Sequence, residues 1–203
     1  MKPTELVAAA GHFWSSEVNR AAVDLLDPQP GEHVLDLAAG LGPASVEVAR
    51  RVGPTGRVTA VDPSRSMRTV LRARRLWQRA RPSLEVRSGV AEELPLVRQS
   101  VNAALSLNAM HHLPDLEGAA GELARVLVPG GRLLLIDEDF GHPDHSFHED
   151  FHHHQEHGDR PEFVDPDHMT GVLAAAGFSE ATADQRSMGG EPAYVITARI
   201  PDA

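Results

Sequence analysis

A chain of 203 residues, 41% hydrophobic and 24% charged, has the size and composition of one globular domain built on one core. Its formal charge of -10 repels phosphate backbones and argues against nucleic acid as a partner, while the absence of cysteine excludes disulfides, thiolate metal sites and cysteine nucleophiles. No apolar run reaches the roughly 18 residues of a membrane span, and the opening MKPTELVAAAGHFW lacks the build of a signal peptide, so a cytoplasmic protein with no membrane partner is expected.

Residues 1–30, with the helix-like stretch WSSEVNRAAVDLL, read as an opening helical cap. HVLDLA (33–38) is a short apolar run closed by a turn, the mark of a buried strand, and ASVEVARRV (44–52) follows with helical periodicity. RVTAVD (57–62) repeats the strand pattern and SMRTVLRARRLWQRA (66–80) the helical one. Around this second helix Arg65, Arg68, Arg72, Arg74, Arg75, Arg79 and Arg81 form a basic patch, whose spacing reads as a solvated outer face. SLEVRS (83–88), NAALSL (102–107) and RLLLID (132–137) read as further strands, with a helix at LEGAAGELARVL (116–127).

This alternation predicts an α/β, doubly wound, Rossmann-like fold with a mostly parallel sheet covered on both faces. The rhythm changes after a helix at 168–176 that stops at Gly177: ATADQRS (181–187) and AYVITARI (193–200) are joined only by MGGEP. A parallel return needs a crossover of about a dozen residues, so the seven-stranded sheet is expected to end in an antiparallel hairpin. No internal repeat or dividing linker interrupts 1–203, which reads as a single domain.

In such a sheet a ligand binds beyond the C-terminal ends of the strands, where DLAAGLG (36–42) lies. Gly40 and Gly42 allow a sharp turn and close approach of the backbone, and Ala38 and Ala39 add little bulk. The dinucleotide pattern G-x-G-x-x-G fits badly, since Ser45 stands at the third position after Gly42. Asp36 would repel a pyrophosphate and attract an ammonium or sulfonium. Asp62, closing the second strand, is placed to accept from both hydroxyls of a ribose, and Met67 to lay a polarizable side chain on a purine. Cationic tail, ribose and purine together describe S-adenosylmethionine.

With VLDLAAGLG, AVDPSRSM, GVAEELPL, LSLNAMHHLPD and ELARVLVPGGRLLLID in this order, the chain resembles the class I S-adenosylmethionine-dependent methyltransferases, in particular the small-molecule, type 11/25-like branch. The likeness covers residues 30–137 closely and the final hairpin more loosely. It implies S-adenosyl-L-methionine as cofactor, with Asp36, Ala38 and Gly40 along the methionine end, Asp62 on the ribose, Met67, Val90 and Ala91 framing adenine, and Asn108 beside the methionine moiety. The chain departs from the pattern at Ala38 and Ala39, at Leu41 in place of a common threonine, and at Val90, where the family commonly has an aspartate accepting from the adenine amino group.

After the fifth strand, residues 139–168 carry a histidine-rich insertion positioned as a lid. Its His148, His152, His153 and His157 are metal-ligand candidates by i+3 and i+4 spacing, but no H-E-x-x-H pattern or third ligand of defined spacing accompanies them, and a polar lid without metal is the preferred reading. Methyl transfer needs an aligned nucleophile and, for an O–H or N–H acceptor, a base. His111, Asp139, His142 and His145 are the candidates. The expected activity is therefore methyl transfer to a small-molecule acceptor whose atom, oxygen, nitrogen or carbon, the sequence does not specify. The competing reading is a non-catalytic cofactor- or metal-sensing protein on the same fold. A homodimer through the hairpin or the opening helix is compatible with the sequence and not established by it.

Overall fold

A computed structural model describes residues 16–77, 83–146 and 165–202. In chain order the elements are α1 (Ser16–Leu26), β1 (His33–Leu37), α2 (Pro43–Val52), β2 (Arg57–Val61), α3 (Arg65–Trp77), β3 (Leu84–Arg87), β4 (Val101–Leu107), a 3-10 turn (Met110–His112), α4 (Leu116–Val126), β5 (Leu127–Glu138), α5 (Pro166–Ala175), β6 (Ser179–Met188) and β7 (Glu191–Arg199). All seven strands join one sheet in the order β3-β2-β1-β4-β5-β7-β6. The first five run parallel, and β7 enters antiparallel between β5 and β6. This is the doubly wound sheet with a terminal hairpin that the sequence predicts.

Side-chain alternation along the strands builds two apolar layers. Val34, Val58, Ala103, Leu105 and Ile136 pack with the buried stripe of α2 and with Leu71 of α3. Leu35, Leu37, Ala104, Leu133 and Leu135 face the other way, toward Leu123 of α4 and Leu173 of α5. Helix α4 starts on the side chain of Asp115, which accepts from Gly118 N, and α5 starts on Asp165, which accepts from Asp167 N. Strand β5 begins earlier than the apolar run RLLLID suggests, because Leu127 already pairs with Val101 before the register shifts across Pro129-Gly130-Gly131.

Arg132 fixes α1 to the sheet. Its guanidinium donates to the carbonyls of Leu26 and Asp27, both at 2.8 Å, and meets Glu32 at 2.6 Å. Helix α1 is thereby held so that Val18 and Asn19 reach the C-terminal edge of the sheet.

The arginines of α3 are not the fully solvated face expected. β3 is an edge strand: the carbonyls of Ser83 and Arg87 accept from β2 and its flank, so those of Leu84 and Val86 turn outward. Arg75 donates to Leu84 O at 2.8 Å and Arg72 to Val86 O at 3.3 Å, while Arg68 donates to Asp62 O at 2.7 Å. Among the described residues no helix is long and apolar enough to cross a membrane.

Candidate functional site

β1 and β4 are neighbours, but the chain leaves β1 toward β2 and leaves β4 toward β5, which opens a crevice at their C-terminal ends. A cavity of about 660 Å³ occupies it. The structure brings Asp36, Ala38, Gly40, Asp62, Met67, Val90, Ala91 and Asn108 together in the lining of this cavity, with His111 beside them. Gly42 does not line it. Its φ of +73° belongs to the N-cap of α2, and a Cβ there would lie 1.8 Å from Leu71 Cδ1, so its smallness serves the packing of α2 on α3.

The turn after β1 is held by the end of β2. The Gly40 amide donates to Asp62 Oδ2 at 2.8 Å, and the Ser64 amide to Asp62 Oδ1 at 2.8 Å. Each carboxylate oxygen keeps lone-pair capacity for one further donor, which is what two vicinal hydroxyls require. Ala38 enters the turn at φ +54°, a left-handed conformation that costs an L-residue roughly 1–2 kcal/mol.

Asp36 is buried, and the hydroxyl of Ser45, on the first turn of α2, donates to it. Burial pushes its carboxyl up to about 7; the Ser45 bond opposes this and the nearby charge of Asp62 adds to it. At neutral pH the group is therefore divided between acid and carboxylate, and a cation entering the cavity would shift it toward the charged form.

At the end of β4, Asn108 adopts φ +50°, tolerated by asparagine more readily than by most residues. Its side chain is clasped from both sides: Oδ1 accepts from Glu138 N at 2.9 Å, and Nδ2 donates to Glu138 Oε1 at 3.3 Å. Glu138 is itself pushed up to about 7, chiefly by burial, against the pull of the Asn108 bond and with the charges of Glu191 and Asp137 adding to the rise.

His111 follows on the 3-10 turn. Its Nδ1 lies 2.8 Å from Asp137 Oδ1, and its backbone amide donates to Asp137 Oδ2 at 3.3 Å. The ring of His112 leans against it at 4.0 Å between centroids, and burial, then the neighbouring His111, lowers the basicity of His112.

The other three base candidates stand outside the cavity lining. Asp139 accepts from Gln185 Nε2 at 2.7 Å and from Gly141 N at 3.2 Å, which ties it to the hairpin. His142 closes a local turn, its amide donating to Asp139 O and its Nδ1 accepting from Asp144 N at 3.1 Å. His145 is buried between Glu138, at 3.2 Å, and Glu191, at 3.9 Å, with the Phe140 ring 4.6 Å away. These residues fold 139–146 back onto the sheet. His148, His152, His153 and His157 lie outside the described residues.

Sequence reasoning missed Ser45, Glu92, Asp137 and Glu138, and the reach of Asn19 into the cavity. For the two residues that close β5 a signal existed: acidic residues end β5 as they end β1 and β2.

The family described as "Methyltransferase domain" matches residues 34–131. An uncharacterized methyltransferase of Mycobacterium tuberculosis is 43% identical over 115 residues, 57% of this chain and 43% of that protein. A demethylmenaquinone methyltransferase of Desulfitobacterium hafniense is 31% identical over 118 residues, 58% of this chain and 47% of that protein. The chain thus spans about half the length, or less, of the curated relatives it matches. Among solved structures, a SAM-dependent methyltransferase from Aquifex aeolicus superposes with a TM-score of 0.73 at 21% identity, over 90% of this chain and 89% of the other. Residues 34–131 are thus similar to a methyltransferase domain, and the fold is shared with the solved methyltransferase.

Proposed function

We propose that this protein binds S-adenosyl-L-methionine in the cavity between β1 and β4 and transfers its methyl group to a small-molecule acceptor. One observation carries the reading: among the described residues the cavity is lined by three carboxylates, Asp36, Asp62 and Glu92, and by no lysine or arginine. Such a lining disfavours phosphorylated nucleotides and favours a cationic nucleoside. A volume of about 660 Å³ is that of a small-molecule site.

When bound, the cofactor supplies an electrophilic methyl group and leaves as a neutral thioether. The chain's residues hold and orient. Asp62 takes the ribose hydroxyls on its free lone pairs, Asp36 answers the positive methionine end, and Met67, Val90 and Ala91 flank the purine. Asn108, held by Glu138, sets the floor beside the methionine moiety.

His111 takes the acceptor's proton. Asp137 holds Nδ1 in the protonated tautomer, which leaves Nε2 as the acceptor atom. The acceptor would therefore be a hydroxyl, an amine or an acidic carbon, lodged among His111, His112 and Leu113. Support comes also from the D. hafniense relative, whose name is that of a quinone-type methyltransferase. The test is a screen of small acceptors that detects S-adenosylhomocysteine release from the purified chain. Product formation with one acceptor class, abolished by Asp62→Ala, supports the proposal; failure of both S-adenosylmethionine and S-adenosylhomocysteine to raise the melting temperature at millimolar concentration overturns it.

A further inference from the structure

His145 takes no part in the scheme above, yet its side chain is wholly buried, between those of Glu138 and Glu191. An imidazole withdrawn from water needs partners for its ring nitrogens. Two turns bring it to them. Asp139 N donates to Pro192 O at 2.9 Å, His142 N to Asp139 O at 3.0 Å and His145 N to His142 O at 3.0 Å, so the chain doubles back over the residue that closes β5. Ser146 then ties this stretch to the start of β7, its amide donating to Glu191 Oε2 at 2.9 Å and its hydroxyl to Glu191 Oε1.

From this seat a line of contacts runs to the cavity. His145 Nε2 lies 3.2 Å from Glu138 Oε2, Glu138 Oε1 accepts from Asn108 Nδ2 at 3.3 Å, and Asn108 lines the cavity. Because the Glu138 amide already holds Asn108 Oδ1, the carboxyl group of the same residue decides how Nδ2 is set. One Nδ2 hydrogen goes to Oε1, and the second remains for a ligand. This arrangement needs Oε1 to be an acceptor. Glu138 is pushed up to about 7, chiefly by burial, and a proton on Oε1 would set donor against donor. An N–H of His145 against Oε2 favours the ionised form and keeps the carboxylate turned so that Oε1 meets Asn108.

We infer that His145 is a positioning residue: through Glu138 it fixes the side-chain amide of Asn108 at the methionine end of the site, and so makes cofactor binding depend on the seating of residues 139–146 against β5 and β7. The inference rests on the adenosyl cofactor proposed above and adds to it a group, one residue removed from the cavity, that sets the cavity floor. The charged and titratable groups around it are Glu138 and Glu191 on its two sides, with Asp137 and His111 bearing on Glu138.

The test is a double-mutant cycle read by calorimetric binding of S-adenosylhomocysteine to the full chain. Asn108→Ala alone and His145→Leu alone should each weaken binding by about 10-fold. Added to Asn108→Ala, His145→Leu should cost no further affinity, since its effect passes through a side chain already removed; a loss of packing alone would be equal in both backgrounds. His145→Gln, which keeps an N–H donor for Glu138, should return binding to within a few-fold of wild type. Where His145→Leu does not fold, His145→Met, a more adaptable apolar chain, takes its place in the cycle. Equal losses in the two backgrounds, or wild-type affinity in either single variant, overturn the assignment while the cofactor reading stands; failure of the wild-type chain to bind S-adenosylhomocysteine overturns both.

Discussion

His111 and Asp137 meet beside the crevice at 2.8 Å, Nδ1 to Oδ1, although 26 positions separate them in sequence. The pairing leaves Nε2 as the imidazole atom available to an acceptor and fixes the ring's orientation twice, through the side chain and through the backbone amide. Replacing His111 by alanine should lower turnover by about 10² or more. Asp137→Asn should cost less, about 10-fold to 10²-fold, because the imidazole remains but its tautomer is no longer enforced. In both variants S-adenosylhomocysteine affinity should stay within a few-fold of wild type, so the loss appears in kcat.

With Asp36 facing a cationic cofactor as proposed, binding should depend on pH. Its carboxyl titrates near 7 in the folded chain, raised from an ordinary value near 4 by burial first. A cationic ligand prefers the ionised form, so affinity should strengthen as pH rises from about 6 to 8, with release of close to one proton at the acidic end of that range. The unliganded chain should show the opposite trend. A folded state that holds this proton more tightly than the unfolded one loses stability as pH climbs from about 4 to about 7. Titration calorimetry in two buffers of different ionisation heat measures the proton directly, and Asp36→Asn should abolish it.

Ala38 occupies a left-handed position that glycine would occupy without strain. Ala38→Gly should raise stability by about 0.5–1 kcal/mol, the relief of strain exceeding the added entropy of the unfolded chain. For a domain of this size that is a melting-temperature rise of about 1–4 °C.

Two glycines of the same turn should respond differently. Gly42→Ala drives a methyl group into Leu71 at 1.8 Å and should destabilise the fold by about 2–3 kcal/mol. Gly40→Ala meets nothing nearer than Ala38 O at 4.0 Å, so apart from its positive φ it should cost the fold little. Its methyl group instead narrows the approach to the cavity, and the loss should be read in S-adenosylhomocysteine affinity. Denaturant unfolding and calorimetry on the pair separate the two effects.

Much of this was legible in the chain. Short strand-like runs ending in turn residues marked the parallel strands, and a five-residue link dictated the antiparallel hairpin, because both are local properties. The cavity residues Asp36, Asp62, Met67 and Asn108 were legible too, since each lies at or shortly after the C-terminal end of a strand, where ligands gather. What escaped were pairings across distance. Nothing near Ser45 indicates that it serves Asp36, and nothing near His111 points to Asp137 rather than Asp139 or Glu138 as its partner. Gly42 was misjudged because a glycine required for helix packing and one required for ligand approach look alike until Leu71 is placed. The exclusion of Asp139, His142 and His145 from the cavity depends on how 139–146 doubles back onto β7, a turn that no periodicity encodes.

The guanidinium groups of Arg72 and Arg75 rest on the outward carbonyls of Leu84 and Val86. A foreign strand arriving at that border would find its acceptors already engaged and two bulky cationic stems across its path. Growth by addition of further backbone, a common first step toward β-rich clumping, is thus barred on this flank of the folded chain, and the same helix that lends Met67 to the cavity stands guard over it.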